Sequence, residues 1–192
     1  MANTNAPFGL QPKRHISGAP WNGQVSRFAV LAGDNAALYK GDLVKSAGTA
    51  DANGVKAIAR ASADTDQMVG VIVGFETDYS NLSLGSQYRA ASTARYVLVC
   101  TDPTVVYEVQ CSGTSVVADV GLNVGLTYTA GSATTGISAM VALQSTVDVT
   151  VTLPLKILGW VQRPDVDPTD ATSMKLEVLL NNAALATNVV GV

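Results

Sequence analysis

The sequence predicts a mainly β protein: a compact antiparallel barrel or sandwich with an extended N-terminal arm and little helix. Three observations carry that expectation. Short apolar runs alternate with period two, turn-forming Gly, Asn, Asp and Pro residues separate them, and β-branched residues and glycines disfavour any long helix. With 192 residues and 47% apolar content the chain is large and apolar enough to bury a core. The domain reading is an arm over residues 1–24 followed by one β domain over 25–192.

The arm, MANTNAPFGLQPKRHISGAPWNGQ, holds Pro7, Pro12 and Pro20 with Gly9, Gly18 and Gly23, and shows neither helical nor strand periodicity. It also carries Phe8, Leu10, Ile16 and Trp21, which are costly to leave in water. Such an arm is expected to lie along a surface, either its own body or a neighbouring subunit, with the prolines lowering the entropy lost on ordering.

Strands are expected at 25–31, 42–46 and 55–60, separated by turn signals such as Gly33-Asp34-Asn35 and Asn53-Gly54. In Gln67–Phe75, Val69, Val71 and Val73 fall on one face with Met68, Gly70, Ile72 and Gly74 opposite, which suits a strand covered on both sides. Residues 95–100 and 105–111 read as a hairpin about Thr101-Asp102-Pro103-Thr104. That register offsets Cys100 and Cys111 by several residues, too far for a disulfide, so both are expected as free, partly buried thiols of a reducing compartment.

Further strands are expected at 126–129 and 155–163. Thr146–Leu153 alternates Val147, Val149, Val151 and Leu153 against Thr146, Asp148, Thr150 and Thr152, and Met174–Leu180 repeats the pattern. Helix is limited to short turns at Val117–Val124 and Asn81–Leu84. Trp160, in LKILGWVQ, reads as core or barrel-edge packing.

Charge and hydropathy narrow the function. Only 14% of residues are charged and mean hydropathy is +0.25, which points to an assembly component with surface held against another protein. A net charge of −3 argues against nucleic acid as a partner. The charge is segregated: residues 1–60 carry +4 and the remainder −7, so the basic front end is suited to docking on an acidic partner surface, the alternative being charges that are merely scattered and solvated. No apolar stretch reaches the ~20 residues that span a bilayer, and the opening lacks a secretory pattern, so synthesis in a cytoplasm and no membrane partner are expected.

The residues that usually carry chemistry do not gather into a motif. His15, the single histidine, lies in the arm beside Lys13 and Arg14 and reads as a surface contact. One histidine and two separated cysteines do not make a zinc site. No serine elbow, Walker loop or dinucleotide fingerprint is present. Asp165, Asp167 and Asp170 in RPDVDPTDA lack the glycine and distal glutamate of a calcium loop, and read as turn formers. Glu76 and Asp78 lack the accompanying aromatics of a sugar hydrolase. No catalytic residue, cofactor or metal is expected.

The opening MANTNAPFGLQPKRHISGAPWNGQ, then LYKGDLVK, VADVGLNVGLTY, LGWVQRPDVDPTD and KLEVLLNNA together resemble the head decoration, or cement, proteins of tailed bacteriophages. That family is marked by an APFGL-x-P-x-R opening and a loose β pattern. The resemblance implies a non-enzymatic virion protein on the outer capsid surface. Such a protein bridges major capsid subunits against internal DNA pressure, itself assembling as a homotrimer at local threefold positions in preference to a dimer at twofold positions. A tail or baseplate β module is the alternative. Phe8, Leu10, Lys13, Arg14, Trp21 and Asn22 are then the expected capsid or intersubunit contacts, apolar anchors supplying buried area and the two cations meeting acidic capsid positions.

Overall fold

A computed structural model describes residues 3–79, 82, 85 and 87–185. Its strands are β1 (Gln11–His15), β2 (Ser26–Val30), β3 (Leu38–Tyr39), β4 (Leu43–Ala50), β5 (Lys56–Arg60), β6 (Met68–Phe75), β7 (Tyr88–Arg89), β8 (Arg95–Cys100), β9 (Val105–Ser112), β10 (Asn123–Thr127), β11 (Val141–Asp148), β12 (Leu155–Trp160) and β13 (Lys175–Leu180). A single 3-10 turn at Val117–Asp119 is the only helix among the described residues. The expected turn at 81–84 lies outside the described residues except for Leu82.

Strands β2-β5-β4-β6-β8 close into a barrel. The remaining long strands run β1-β9-β11-β10-β12-β13, and because β13 also pairs with β9 they form a second ring with β1 on its outside. Pairing is antiparallel except for β2–β5 and β9–β11. Closure leaves few open edges in either ring, which suits short strands rich in valine.

Two hydrophobic cores follow from this arrangement. Phe28, Val30, Val44, Ile58, Val69, Ile72, Val97 and Val99 fill the first barrel. Tyr107, Val109, Val124, Leu126, Leu155, Ile157, Leu176 and Val178 form the second core, which also takes Leu43, Met68, Val71 and Cys100 from the barrel strands. Strand β6 therefore serves both cores, Val69 and Ile72 in one and Met68 and Val71 in the other. The expected covering of this strand on both sides is observed, but its faces differ from simple alternation. The register with β4 shifts between Met68 and Gly70, leaving Val69 as the extra residue, and this shift places Val69 and Val71 in different cores; a second shift, with β8, falls between Ile72 and Gly74.

Three further expectations are corrected. Residues 95–100 and 105–111 do not form a hairpin: β8 pairs with β2 and β6, whereas β9 pairs with β1, β11 and β13. The turn at 101–104 crosses between the rings, held by the Asp102 carboxylate, which accepts from the Thr104 backbone N–H and hydroxyl at 2.7 Å each. The alternation of Thr146–Leu153 continues as a strand only to Asp148, which turns the chain by accepting from the Thr150 N–H and hydroxyl. Within the arm, Gln11–His15 is a strand on β9 despite its lack of alternation, because one edge of β9 is open there and backbone pairing needs no side-chain pattern.

Both cysteines are free and buried. Burial pushes the Cys111 thiol up to about 11 and raises that of Cys100 as well. Neither thiol should react with an aqueous disulfide reagent at pH 8 until the protein unfolds, and a stopped-flow labelling trace with and without urea checks this. Immediate labelling of either cysteine in the native state would contradict the assignment.

Candidate functional site

The segment carrying the resemblance is laid along the chain's own body. Asn3 donates its backbone N–H to Asp170 Oδ2 at 2.8 Å and its side-chain amide to the carbonyls of Asp167 and Asp170, while its Oδ1 accepts the Asp167 N–H. Buried Gln110 then grips the next turn, donating to Asn5 Oδ1 at 2.6 Å and accepting the Ala6 N–H at 2.9 Å. Leu10 is 1% exposed and sits in the second core, its N–H donated to the Gly41 carbonyl at 2.9 Å. Strand β1 follows, and the chain folds back so that Trp21 donates its backbone N–H to the Lys13 carbonyl.

Between this arm and the loop after β12 lies an open groove of about 700 Å3. Phe8, Gln11 and Lys13 form one wall, Arg163–Pro168 the other, and Glu108 the floor. Glu108 projects from β9 with its side chain only 4% exposed, and Arg163 meets both its oxygens at 2.7 and 2.8 Å. A buried carboxylate needs such a bidentate partner to offset its desolvation. Lys13 Nζ adds a third charge at 3.5 Å. Asp165, bridged by Arg163 and Lys175 at the rim, is held well below the usual carboxylate range by those two cations, and together with Glu108 it raises the Arg163 guanidinium.

The structure thus distributes the expected contact residues. Phe8 is half-buried in the groove wall and Asn22 is exposed. Leu10 is wholly inside this chain's own core, and Trp21 is part-buried against the same core. Lys13 and Arg14 meet carboxylates of this chain rather than facing outward alone: Arg14 lies 2.6 Å from Glu177. The charge segregation is satisfied the same way. Lys13, Arg14, Arg27 and Lys45 of the basic front end pair with Glu108, Glu177, Glu76 and Asp66 of the acidic body.

The acidic cluster after β12 is made of turns, as its sequence suggests. Asp167 accepts from the N–H and hydroxyl of Thr169, and Asp170 from those of Thr172. His15 sits at the barrel crossing with Nδ1 3.4 Å from Asp102 and 3.2 Å from Thr104 Oγ1. Trp160 packs on the second core and donates its indole N–H to Ser115 at 3.0 Å.

Sequence reasoning missed Glu108 and Gln110, which read as ordinary members of VVYEVQC. Their polar identity inside an otherwise apolar run was the available signal, since such residues persist in a core only with partners. It also missed a smaller cleft of about 480 Å3 on the first barrel, where the Arg27 guanidinium stacks 3.6 Å over the Tyr96 ring and bonds Glu76, while the Tyr96 hydroxyl donates to Asp51. No protein-family model, curated protein or solved structure matches the chain.

Proposed function

We propose that this chain is a structural virion protein that decorates the outer surface of a tailed-phage capsid and cements its major capsid subunits. The observation that carries the reading is the preformed groove between the arm and the 161–174 loop. Its walls are the same stretches, APFGLQPKR and VQRPDVDPTD, that carry the resemblance. A groove with a part-buried phenylalanine, a fixed pattern of alternating charge and a backbone held by Asn3, Gln110 and β9 is suited to an extended segment of another polypeptide. Its side chains are ordered beforehand, so little entropy is lost on docking. Many such modest contacts add over a shell, and they stabilise the mature head by linkage because they favour it over the unexpanded one. Homotrimers at local threefold positions would set the spacing of these grooves.

The test is pelleting of the purified chain with decoration-free heads, comparing wild type with a Phe8→Ser/Lys13→Gln double variant, which removes the apolar anchor and the cation without setting a second carboxylate beside buried Glu108. Both side chains are at the groove surface, so the variant is expected to keep its fold by circular dichroism and to lose at least tenfold in affinity. Undiminished head binding by a folded variant would contradict the groove's role. Co-purification with tails instead of heads would favour a tail or baseplate module.

A further inference from the structure

The cleft of about 480 Å3 on the outside of the first barrel shares no residue with the groove beside the arm. Its floor is the outer face of β2 and β8, where Ala29, Leu31 and Ala94 make a shallow apolar bed. The tip of the β4–β5 hairpin, bearing Asp51, forms one wall, and the chain leaving β6, Glu76–Tyr79, forms the other. Glu76 and Asp78 read in sequence as lacking aromatic company. Folding supplies it, with Tyr96 of β8 at one end of the floor and Tyr79 at the mouth, 88% exposed.

The polar groups of the cleft are fixed by this chain's own contacts. Glu76 donates its N–H to the Tyr96 carbonyl at 3.0 Å, and its carbonyl accepts from buried Arg95 at 3.1 and 3.2 Å. Arg27 bonds Glu76 Oε2 through Nε at 3.0 Å while its guanidinium lies 3.6 Å over the Tyr96 ring. The Tyr96 hydroxyl donates to Asp51 and accepts the Asn53 amide at 2.9 Å. Left over is an ordered donor–acceptor set: Arg27 Nη1 and Nη2 beside Glu76 Oε1, none of which takes a hydrogen bond among the described residues.

We propose that this cleft binds a neutral saccharide of one or two pyranose rings. A pyranose has an apolar C–H face, which the Ala29–Leu31–Ala94 bed and the Tyr79 ring would cover, and a rim of hydroxyls that each donate and accept. Neighbouring hydroxyls therefore match the adjacent donors of Arg27 and acceptor of Glu76. The volume falls within the ~300–1,000 Å3 of small-molecule sites. Charge disfavours an ionic ligand, because Arg27 is offset by Glu76 and Arg95 by Asp78, and Asp51 is occupied by the Tyr96 hydroxyl and the N–H groups of Asn53 and Val55. A polypeptide would find no strand edge to extend, since β2 and β8 are each paired on both sides within a closed barrel. The proposal is of binding alone, and it does not rest on the virion reading.

The test is a titration of the nitrogen-15-labelled full chain, followed by its amide shifts, with methyl β-glucopyranoside, methyl β-galactopyranoside, N-acetylglucosamine and maltose. Nα-acetyl-lysine amide and N-acetylneuraminic acid serve as the charged comparisons. Saturable binding of at least one neutral sugar at millimolar concentration is expected, with shifts confined to residues 27–31, 51–54, 76–79 and 94–96. Tyr79→Ala removes a side chain that is mostly in water, and Arg27→Met keeps a stem over Tyr96 while removing the donors. Each is expected to weaken sugar binding about fivefold or more with the rest of the spectrum unchanged. No saturable shift with any of the sugars overturns the proposal, as does sugar binding undiminished in either variant. Preference for the lysine amide or for neuraminic acid over the neutral sugars also overturns it, since the cleft would then read charge.

Discussion

Replacing Gly9 with alanine is expected to destabilise the protein by about 3 kcal/mol or more, the sum of left-handed backbone strain and overpacking. Gly9 has φ of 70°, and a Cβ there would stand 2.5 Å from both the Gly41 carbonyl oxygen and Ser138 Cβ. Neither neighbour can easily retreat. The Gly41 carbonyl accepts the Leu10 N–H, the Gly41 N–H is donated to Ile72, and the Ser138 N–H is donated to Lys40. Gly9 is thus the point where the arm, the β3–β4 turn and the segment before β11 are brought within backbone contact, which gives the Phe-Gly-Leu of the arm a structural reason. Gly18 supplies the control, since it has φ of 92° but open space about it, and its alanine variant should cost only about 1 kcal/mol. Urea unfolding midpoints of the two variants measure the difference. Equal losses would contradict the packing argument.

The second large effect concerns Asp42, fully buried in the same joint. Its Oδ2 accepts the Tyr39 N–H at 2.9 Å and the Ser138 hydroxyl is near, while Oδ1 meets no donor. Burial pushes its pKa up to about 6, against the hydrogen bonds from Ser138 and Tyr39 and the more distant charge of Arg60, which lower it. Because the folded state holds the proton more tightly than the unfolded chain, its stabilising effect is complete below about pH 4. It is lost as pH rises through about 6, a difference of roughly 3 kcal/mol at neutrality. An Asp42→Asn variant keeps an acceptor for Tyr39 without the buried charge. It should be about 2 kcal/mol more stable than wild type at pH 7 and equal to it near pH 4. Denaturation midpoints across that range check the sign; a variant less stable than wild type at pH 7 would show that the charged carboxylate is wanted there.

Most strands were legible because their cause is local. The alternation around β13, the valine run of β6 and the turn residues between β2, β4 and β5 each dictate conformation within a few residues. What failed depended on distant partners. The hairpin about 101–104 has ordinary hairpin composition, yet β8 and β9 belong to different rings, and only the vacancies beside β2, β6, β1 and β13 decide that. The strand in Gln11–His15 is invisible because its cause is the exposed edge of β9. Thr146–Leu153 failed the other way, its alternation overridden after Asp148 by a side-chain turn.

The site was legible in outline. Proline spacing and apolar residues marked the arm as a segment that lies on a surface, but not that the surface is largely its own. The excess of cations before residue 60 and of carboxylates after it was visible, and its meaning emerges from folding, where front and body neutralise one another through four ion pairs. Glu108 and Gln110 escaped notice because each takes its role from residues 55 and about 105 positions away, Arg163 and Asn5.

The proposed role is the cementing of phage heads. Its most direct measurement is the number of copies bound per particle when decoration-free heads of the parent phage are saturated with the purified protein and pelleted. Cementing predicts saturation at a fixed number matching the local threefold positions of the shell, with heads that then withstand conditions that burst bare ones. No saturable binding to heads, with the protein found in isolated tails, would contradict it.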